Sequence, residues 1–177
     1  HNTLDVDVFL RISMGELWQK KLMVAGYEKT FEIGRQFRNE GVDMEHLQDY
    51  TQMEFYWAYA SYEEGMKLAE EMYKKVAKEV LGTLKFKSHG HDVDFGKKWE
   101  IYDYEKTIKR HTGIGIYSSK ESEIKKKLDE LKVKYDPRYD KWKLIDILWK
   151  YCRRKLTGPG FLIGQPVELS PLAKRNP

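Results

Sequence analysis

An α+β fold, an antiparallel sheet flanked by helices, is predicted by three observations. Residues 29–59 contain two runs that alternate with a period of two, KTFEIGRQF and YTQMEFYWAY, with a polar segment containing Gly and Asp between them. Residues 61–81 then repeat apolar side chains at helical spacing. From 105 to 156 the composition shifts toward helix formers, interrupted at Gly113-Ile114-Gly115 and at Asp136-Pro137. Alternation sends successive side chains to opposite faces of a strand, whereas a 3.6-residue recurrence lines one side of a helix.

Taken in order, residues 1–12 alternate around Leu4, Val6, Val8, Leu10 and Ile12, which predicts a strand. Ser13-Met14-Gly15-Glu16 has the spacing of a capping box, and Met14, Leu17, Trp18 and Leu22 recur as the inward side of a helix over 14–24 that Gly26 stops. Glu16 therefore has two readings: a carboxylate that caps its own helix, or one that faces a pocket.

In the first alternating run Phe31, Ile33, Arg35 and Phe37 fall on one face and Glu32, Gly34, Gln36, Arg38 and Glu40 on the other. In the second, Thr51, Met53, Phe55, Trp57 and Tyr59 oppose Tyr50, Gln52, Glu54, Tyr56 and Ala58. An antiparallel pairing with Glu40 opposite Tyr50 gathers Arg38, Glu40, Tyr50, Gln52, Glu54 and Tyr56 on one face, and a one-residue slip would scatter them. That face is either the solvated side of an ordinary hairpin or a binding surface. A guanidinium, a ring and several carboxylates on rigid strands can hold a phosphate, stack a flat base and pair with a cation.

Ser61-Tyr62-Glu63-Glu64 is a second capping box, opening a helix that carries Met66, Ala69, Met72, Tyr73, Val76 and Val80 on its core side and ends at Gly82. Residues 85–104 read as a second hairpin, with turns at Gly90 and Gly96. His89, His91, Asp92 and Asp94 near that turn do not form a complete metal shell at this spacing, and a hydrated turn is the better account. Three helices are expected at 104–111, 119–132 and 139–156, the last amphipathic through Trp142, Ile145, Leu148, Trp149 and Cys152. Lys125-Lys126-Lys127 is either a solvated helix face or a contact for RNA backbone. Phe161-Leu162-Ile163 reads as a short buried strand, followed by a Pro-containing loop, ELSPLAKR, in which Lys174 and Arg175 either contact phosphate or end a surface loop.

A chain of 177 residues has the length of one domain, with room for a small appended subdomain. Its formal charge of +4 is spread through 34% charged residues, which permits RNA contact without a concentrated basic patch. The lone Cys152 rules out an internal disulfide and suits a reducing compartment. No apolar run approaches a membrane span and no signal peptide opens the chain, so a soluble cytoplasmic protein with no membrane partner is expected.

FRNEG, followed by His46 and DYTQMEFYWAY, resembles motif 2 of the class II aminoacyl-tRNA synthetases in the wording of the lysyl-tRNA synthetase branch. The preceding HNTLDVDVFLRISMGELWQKKLMVAGYEKTFEIGRQF and the late FLIGQPVELSPLAKR resemble other segments of the same enzymes, in the same order. The likeness is weakest between 83 and 158. It implies the class II catalytic fold in part, divided into a core over 1–104 with the motif 2 hairpin, a small helical insertion over 105–157, and a return to the core over 158–177.

The resemblance also implies a chemistry: lysine is activated by ATP to lysyl-adenylate and then transferred to tRNA(Lys), with Mg2+ as cofactor and a homodimeric full-length enzyme. By position in the motif, Arg38 is the catalytic residue, bridging the α-phosphate and the lysine carboxylate. Arg38, Glu40, His46 and Tyr50 form the ATP-binding set, Tyr50 standing where many relatives have Phe. Glu16, Arg38, Glu54 and Tyr56 form the lysine-binding set, with Glu16 on the α-amino group, preceded by Gly15 where relatives often carry Pro. No metal ligand is expected here: the Mg2+ ligands and motif 3 are expected past Pro177, and motif 1 and an anticodon-binding β-barrel before His1. The stretch by itself is accordingly expected to be an inactive catalytic-domain piece. Two other expectations compete with this one, a synthetase-like enzyme that hands an activated amino acid to something other than tRNA, and a noncatalytic interaction module.

Overall fold

The computed structural model describes residues 3–42 and 46–175. Contacts divide the chain into two compact units, His1–Gly65 and Met66–Pro177.

The first unit is an antiparallel hairpin with a helix against it. Strands β1 (Lys29–Phe37) and β2 (Asp49–Trp57) pair with Gln36 opposite Tyr50, Gly34 opposite Gln52 and Glu32 opposite Glu54. The pairing differs by four residues from the expected Glu40–Tyr50 match. Because four is even, every side chain keeps its face, and the even-numbered residues of both strands still share one side. The loop between the strands is partly outside the described residues.

Helix α1 (Glu16–Val24) packs on this hairpin. Ser13 does not cap it: Gly15 is the N-cap residue and no side-chain cap bond forms. The apolar side also turns otherwise than expected. Met14 is fully buried, but Leu17 and Trp18 stay exposed, and Gln19 is the buried residue of the helix, accepting a hydrogen bond from Thr30 Oγ1 at 3.1 Å. Trp18 is instead covered on one face by the Lys21 ammonium, 4.9 Å from its ring.

The expected strand over 1–12, whose first two residues lie outside the described set, is a turn followed by irregular extended chain. Its apolar residues are exposed, and the segment meets the hairpin through single bonds such as that from Phe37 N–H to the Arg11 carbonyl (2.8 Å).

Helix α2 (Tyr62–Leu81) begins as predicted: Glu64 accepts from Ser61 N–H at 2.8 Å and Ser61 Oγ accepts from Glu64 N–H at 3.4 Å. It ends at Gly82, whose φ of +69° is a left-handed conformation that glycine adopts without strain. Only Ala77 is buried along it, and Val76 and Val80 are exposed. Tyr73 meets the rings of Phe95 and Trp99, with centroids 6.1 and 5.9 Å away.

In the second unit, β3 (Lys85–Ser88) and β4 (His91–Asp94) form the hairpin expected here, turning through His89 and Gly90, both at positive φ. Asp92 and Asp94 face Lys87 and Lys85 across it. The expected continuation of that hairpin to 104 is not formed. Strand β5 (Glu100–Asp103) pairs in parallel with β6 (Gly160–Ile163). In place of the single antiparallel sheet, the described residues form three two-stranded sheets, two antiparallel and one parallel, and β6 is half-buried rather than buried.

Helices α3 (Tyr104–Thr112), α4 (Glu121–Glu130) and α5 (Lys141–Arg153) match the three predicted ones. Asp103 and Asp140 cap α3 and α5 by accepting from the N–H groups of Lys106 and Lys143, and Gly113 closes α3 in the left-handed region. Their inner faces, with Ile114 and Ile116 from the connection between α3 and α4, make a hydrophobic core of Tyr104, Ile108, Ile114, Ile116, Ile124, Leu128, Leu144, Ile145, Leu148 and Cys152.

Candidate nucleotide and amino-acid site

The residues assigned to the catalytic, ATP-binding and lysine-binding sets all lie in the first unit, and the geometry that brings them together starts from strand alternation. With Gln36 opposite Tyr50, the even positions Glu32, Gly34 and Gln36 of β1 and Tyr50, Gln52, Glu54 and Tyr56 of β2 share one face. Arg38 extends the pairing one step beyond β1, its N–H bonded to the Gln48 carbonyl at 2.8 Å. Arg38 and Glu54 are therefore on the same side of the hairpin, the requirement on which a shared site depends.

This polar face is the covered one. Gln36 is 2% exposed, whereas Phe31 on the opposite, apolar face is 71% exposed and Ile33 59%. The cover is the stretch from Arg11 through α1. Arg38 Nε donates to the Ile12 carbonyl at 2.9 Å, Gly15 N–H donates to Glu32 Oε2 at 2.6 Å, and the Arg11 guanidinium pairs with Glu32 Oε1. Gly34 leaves the room this needs, since a Cβ there would meet Arg11 Nη2. The Arg11 hydrogen bond, and after it the Gly15 N–H, hold the Glu32 carboxyl below its usual pKa.

A relay of amides orients Glu54. Gln36 Nε2 donates to Gln52 Oε1 at 2.6 Å, and Gln52 Nε2 donates to Glu54 Oε1 at 2.8 Å. With its oxygen committed to Gln36, the Gln52 amide has one orientation, and Glu54 is aimed by it. Gln36 Oε1 and Gln19 Nε2 are buried polar atoms on this face with no protein partner. They mark the covered face as polar to its base.

Glu16, the first residue of α1, pairs with Lys20 one turn on, at 2.9 Å. It caps nothing, so of its two readings the helix cap is the one the structure removes. Lys20 keeps its proton to higher pH than an ordinary lysine, through its hydrogen bond to Glu16, that residue's charge, and Tyr56 nearby. Glu16, Lys20 and Tyr56 thus share one end of the face, with Arg38 and Glu40 at the other. Tyr50 is half-buried; Glu40 and His46 are exposed in the loop, where Gln48 Nε2 donates to the Glu40 carbonyl at 3.0 Å.

Arg11, Lys20, Glu32 and Gln36 were not among the predicted site residues. Glu32 and Gln36 were legible from alternation, being on the same face as Arg38. Arg11 and Lys20 come from a different element, and no pattern within the hairpin points to them. Among the described residues no group of three or more His, Cys, Asp or Glu could hold a metal ion. No helix among the described residues is long and apolar enough to cross a membrane.

Such a covered polar face carries an arginine, a ring and oriented carboxylates on a two-stranded ribbon, and the chain matches the class II tRNA synthetase (D, K and N) family over residues 1–177. It belongs to that family. Within it, the chain is 37% identical to a lysine–tRNA ligase of Thermosipho africanus over 99% of its own length, and 40% identical to one of Roseiflexus sp. over 100%. A lysine–tRNA ligase of Pelotomaculum thermopropionicum is 41% identical over 99% of the chain. In each case the chain spans only 34–36% of the relative's length.

Proposed function

We propose that these residues are the motif 2 portion of the catalytic domain of a lysine–tRNA ligase, and that the protein activates lysine with ATP and transfers it to tRNA(Lys). The observation that carries the reading is the shared covered face of Arg38 and Glu54, with Glu16 brought to it by α1. Its parts answer the needs of the reaction. Lysine presents a carboxylate that must approach the α-phosphate of ATP, two like-charged groups that a guanidinium can hold together. Arg38 supplies it, and charge developing at phosphorus strengthens its contact in the transition state. No protein nucleophile is required.

Tyr50 stacks on the adenine ring, Glu40 reads its edge, and His46 lies by the outer phosphates. A desolvated ammonium requires a carboxylate and fixed acceptors; Glu54, aimed by Gln52, and Tyr56 receive the lysine side chain, while Glu16 takes the α-amino group. Mg2+ would be held by residues outside this stretch. The protein acts as a homodimer in the cytoplasm. Its helical segment, residues 105–157, is an insertion between the two parts of the catalytic core at 1–104 and 158–177.

Substituting Arg38→Ala in the full-length chain should abolish lysine-dependent ATP–pyrophosphate exchange, and Glu54→Gln should raise KM for lysine far more than KM for ATP. Near-normal exchange in the first variant, or equal losses in the second, would remove these residues from the reaction.

A further inference from the structure

We infer that Glu32, clamped by Arg11, is a positioning residue for the amine-binding end of the site, acting through Glu16. The inference rests on the proposed reading of Glu16 as the acceptor of the substrate's α-amino group.

Glu32 stands where the three chain segments of the site converge. It lies on β1, directly opposite Glu54 on β2, and its Oε2 accepts from Gly15 N–H at 2.6 Å while Oε1 takes the Arg11 guanidinium. Gly15 is the N-cap residue of α1, and Glu16 is the first residue of that helix. No side chain caps α1 in the ordinary way. Glu32 therefore fixes the start of the helix from another element, and with it the origin of the Glu16 side chain.

The Arg11 partner has a second consequence. Two carboxylates directly opposite each other on neighbouring strands repel. Arg11 pairs with Glu32, so the carboxylate directly opposite Glu54 already has a cationic partner. Arg11 Nη2 also approaches Met14 Sδ at 3.7 Å, and Met14 is fully buried beneath the same turn. Hydrogen bonds with a charged partner are among the stronger ones, so loss of the Glu32 clamp releases the turn that carries Glu16.

The test is a double-mutant cycle in the full-length chain, read by lysine-dependent ATP–pyrophosphate exchange. Glu32→Gln should raise KM for lysine about tenfold or more and leave KM for ATP within about twofold. Because Glu32 acts through Glu16, the Glu16→Gln/Glu32→Gln pair should lose no more than Glu16→Gln alone, within about twofold. Fully additive losses, an equal rise in both KM values, or an unchanged lysine KM in Glu32→Gln would overturn the inference. Gly15→Ala guards against a folding defect. A Cβ there would sit 2.5 Å from Glu32 Oε2 and push aside only the end of a flexible side chain. It should raise the lysine KM severalfold with ATP unaffected, and no change would also overturn the proposal. The underlying reading fails separately: if Glu16→Gln itself keeps the lysine KM of the unsubstituted protein, Glu16 is not the amine acceptor and the inference falls with it.

Discussion

The two units of this chain bury opposite things. In the second, three helices turn their apolar sides inward around Ile108, Leu128, Leu144 and Leu148. In the first, the hairpin keeps its polar face under α1 and the Arg11–Gly15 stretch, while Phe31, Ile33, Met53 and Phe55 remain exposed. The helical unit accordingly draws its stability from apolar burial. The hairpin unit is organised by hydrogen bonds and ion pairs that serve a site, and its own apolar surface contributes little. An apolar face left uncovered beside a covered polar one shows where alternation has been used for function rather than for a core.

The contrast can be broken most directly by deleting core side chains. Leu148→Ala removes a fully buried side chain among packed neighbours and should cost about 2–5 kcal/mol in chemical denaturation of the helical unit. A loss below about 1 kcal/mol would mean that this core is not what holds the helices.

A smaller effect should follow from alkaline pH. Burial pushes the Cys152 thiol up to about 11 from 9.0, against the weaker opposing pull of Lys155. The folded state therefore holds this proton more tightly than the unfolded one. The contribution is complete below about 9 and is lost as pH rises toward about 11. Stability of the helical unit should fall through that window, and less so in Cys152→Ala once its own cavity cost is subtracted. A thiol reagent should label Cys152 at the unfolding rate; immediate labelling at neutral pH would contradict its burial.

The smallest effect should be on the hairpin's open face. Phe31→Ala at a side chain 71% exposed should change stability by less than about 0.5 kcal/mol, while lowering the binding of an apolar dye. A cost near that of Leu148→Ala would show that the face is covered in solution.

Much of this was legible beforehand because it depends on local periodicity. The helices α2 to α5 were placed from spacing, caps and glycines, and the Ser61–Glu64 box formed as written. The resemblance to class II synthetases was carried by FRNEG and the residues after His46, and the match to the D, K and N family extends over residues 1–177. The sheet was less legible. Strand pairing depends on which segments meet, so the parallel β5–β6 pair, between residues some sixty positions apart, replaced a longer local hairpin.

Alternation alone decided that Arg38 and Glu54 would share a face, since any even register preserves it. Which face would be covered was another matter. Burial depends on what lies above a strand, and the choice was made when Arg11, Gly15 and Gln19 bonded to the polar side. Hydrogen bonds between elements carry no periodicity, so Glu32 passed as one more charged residue until the turn before α1 was seen resting on its carboxylate.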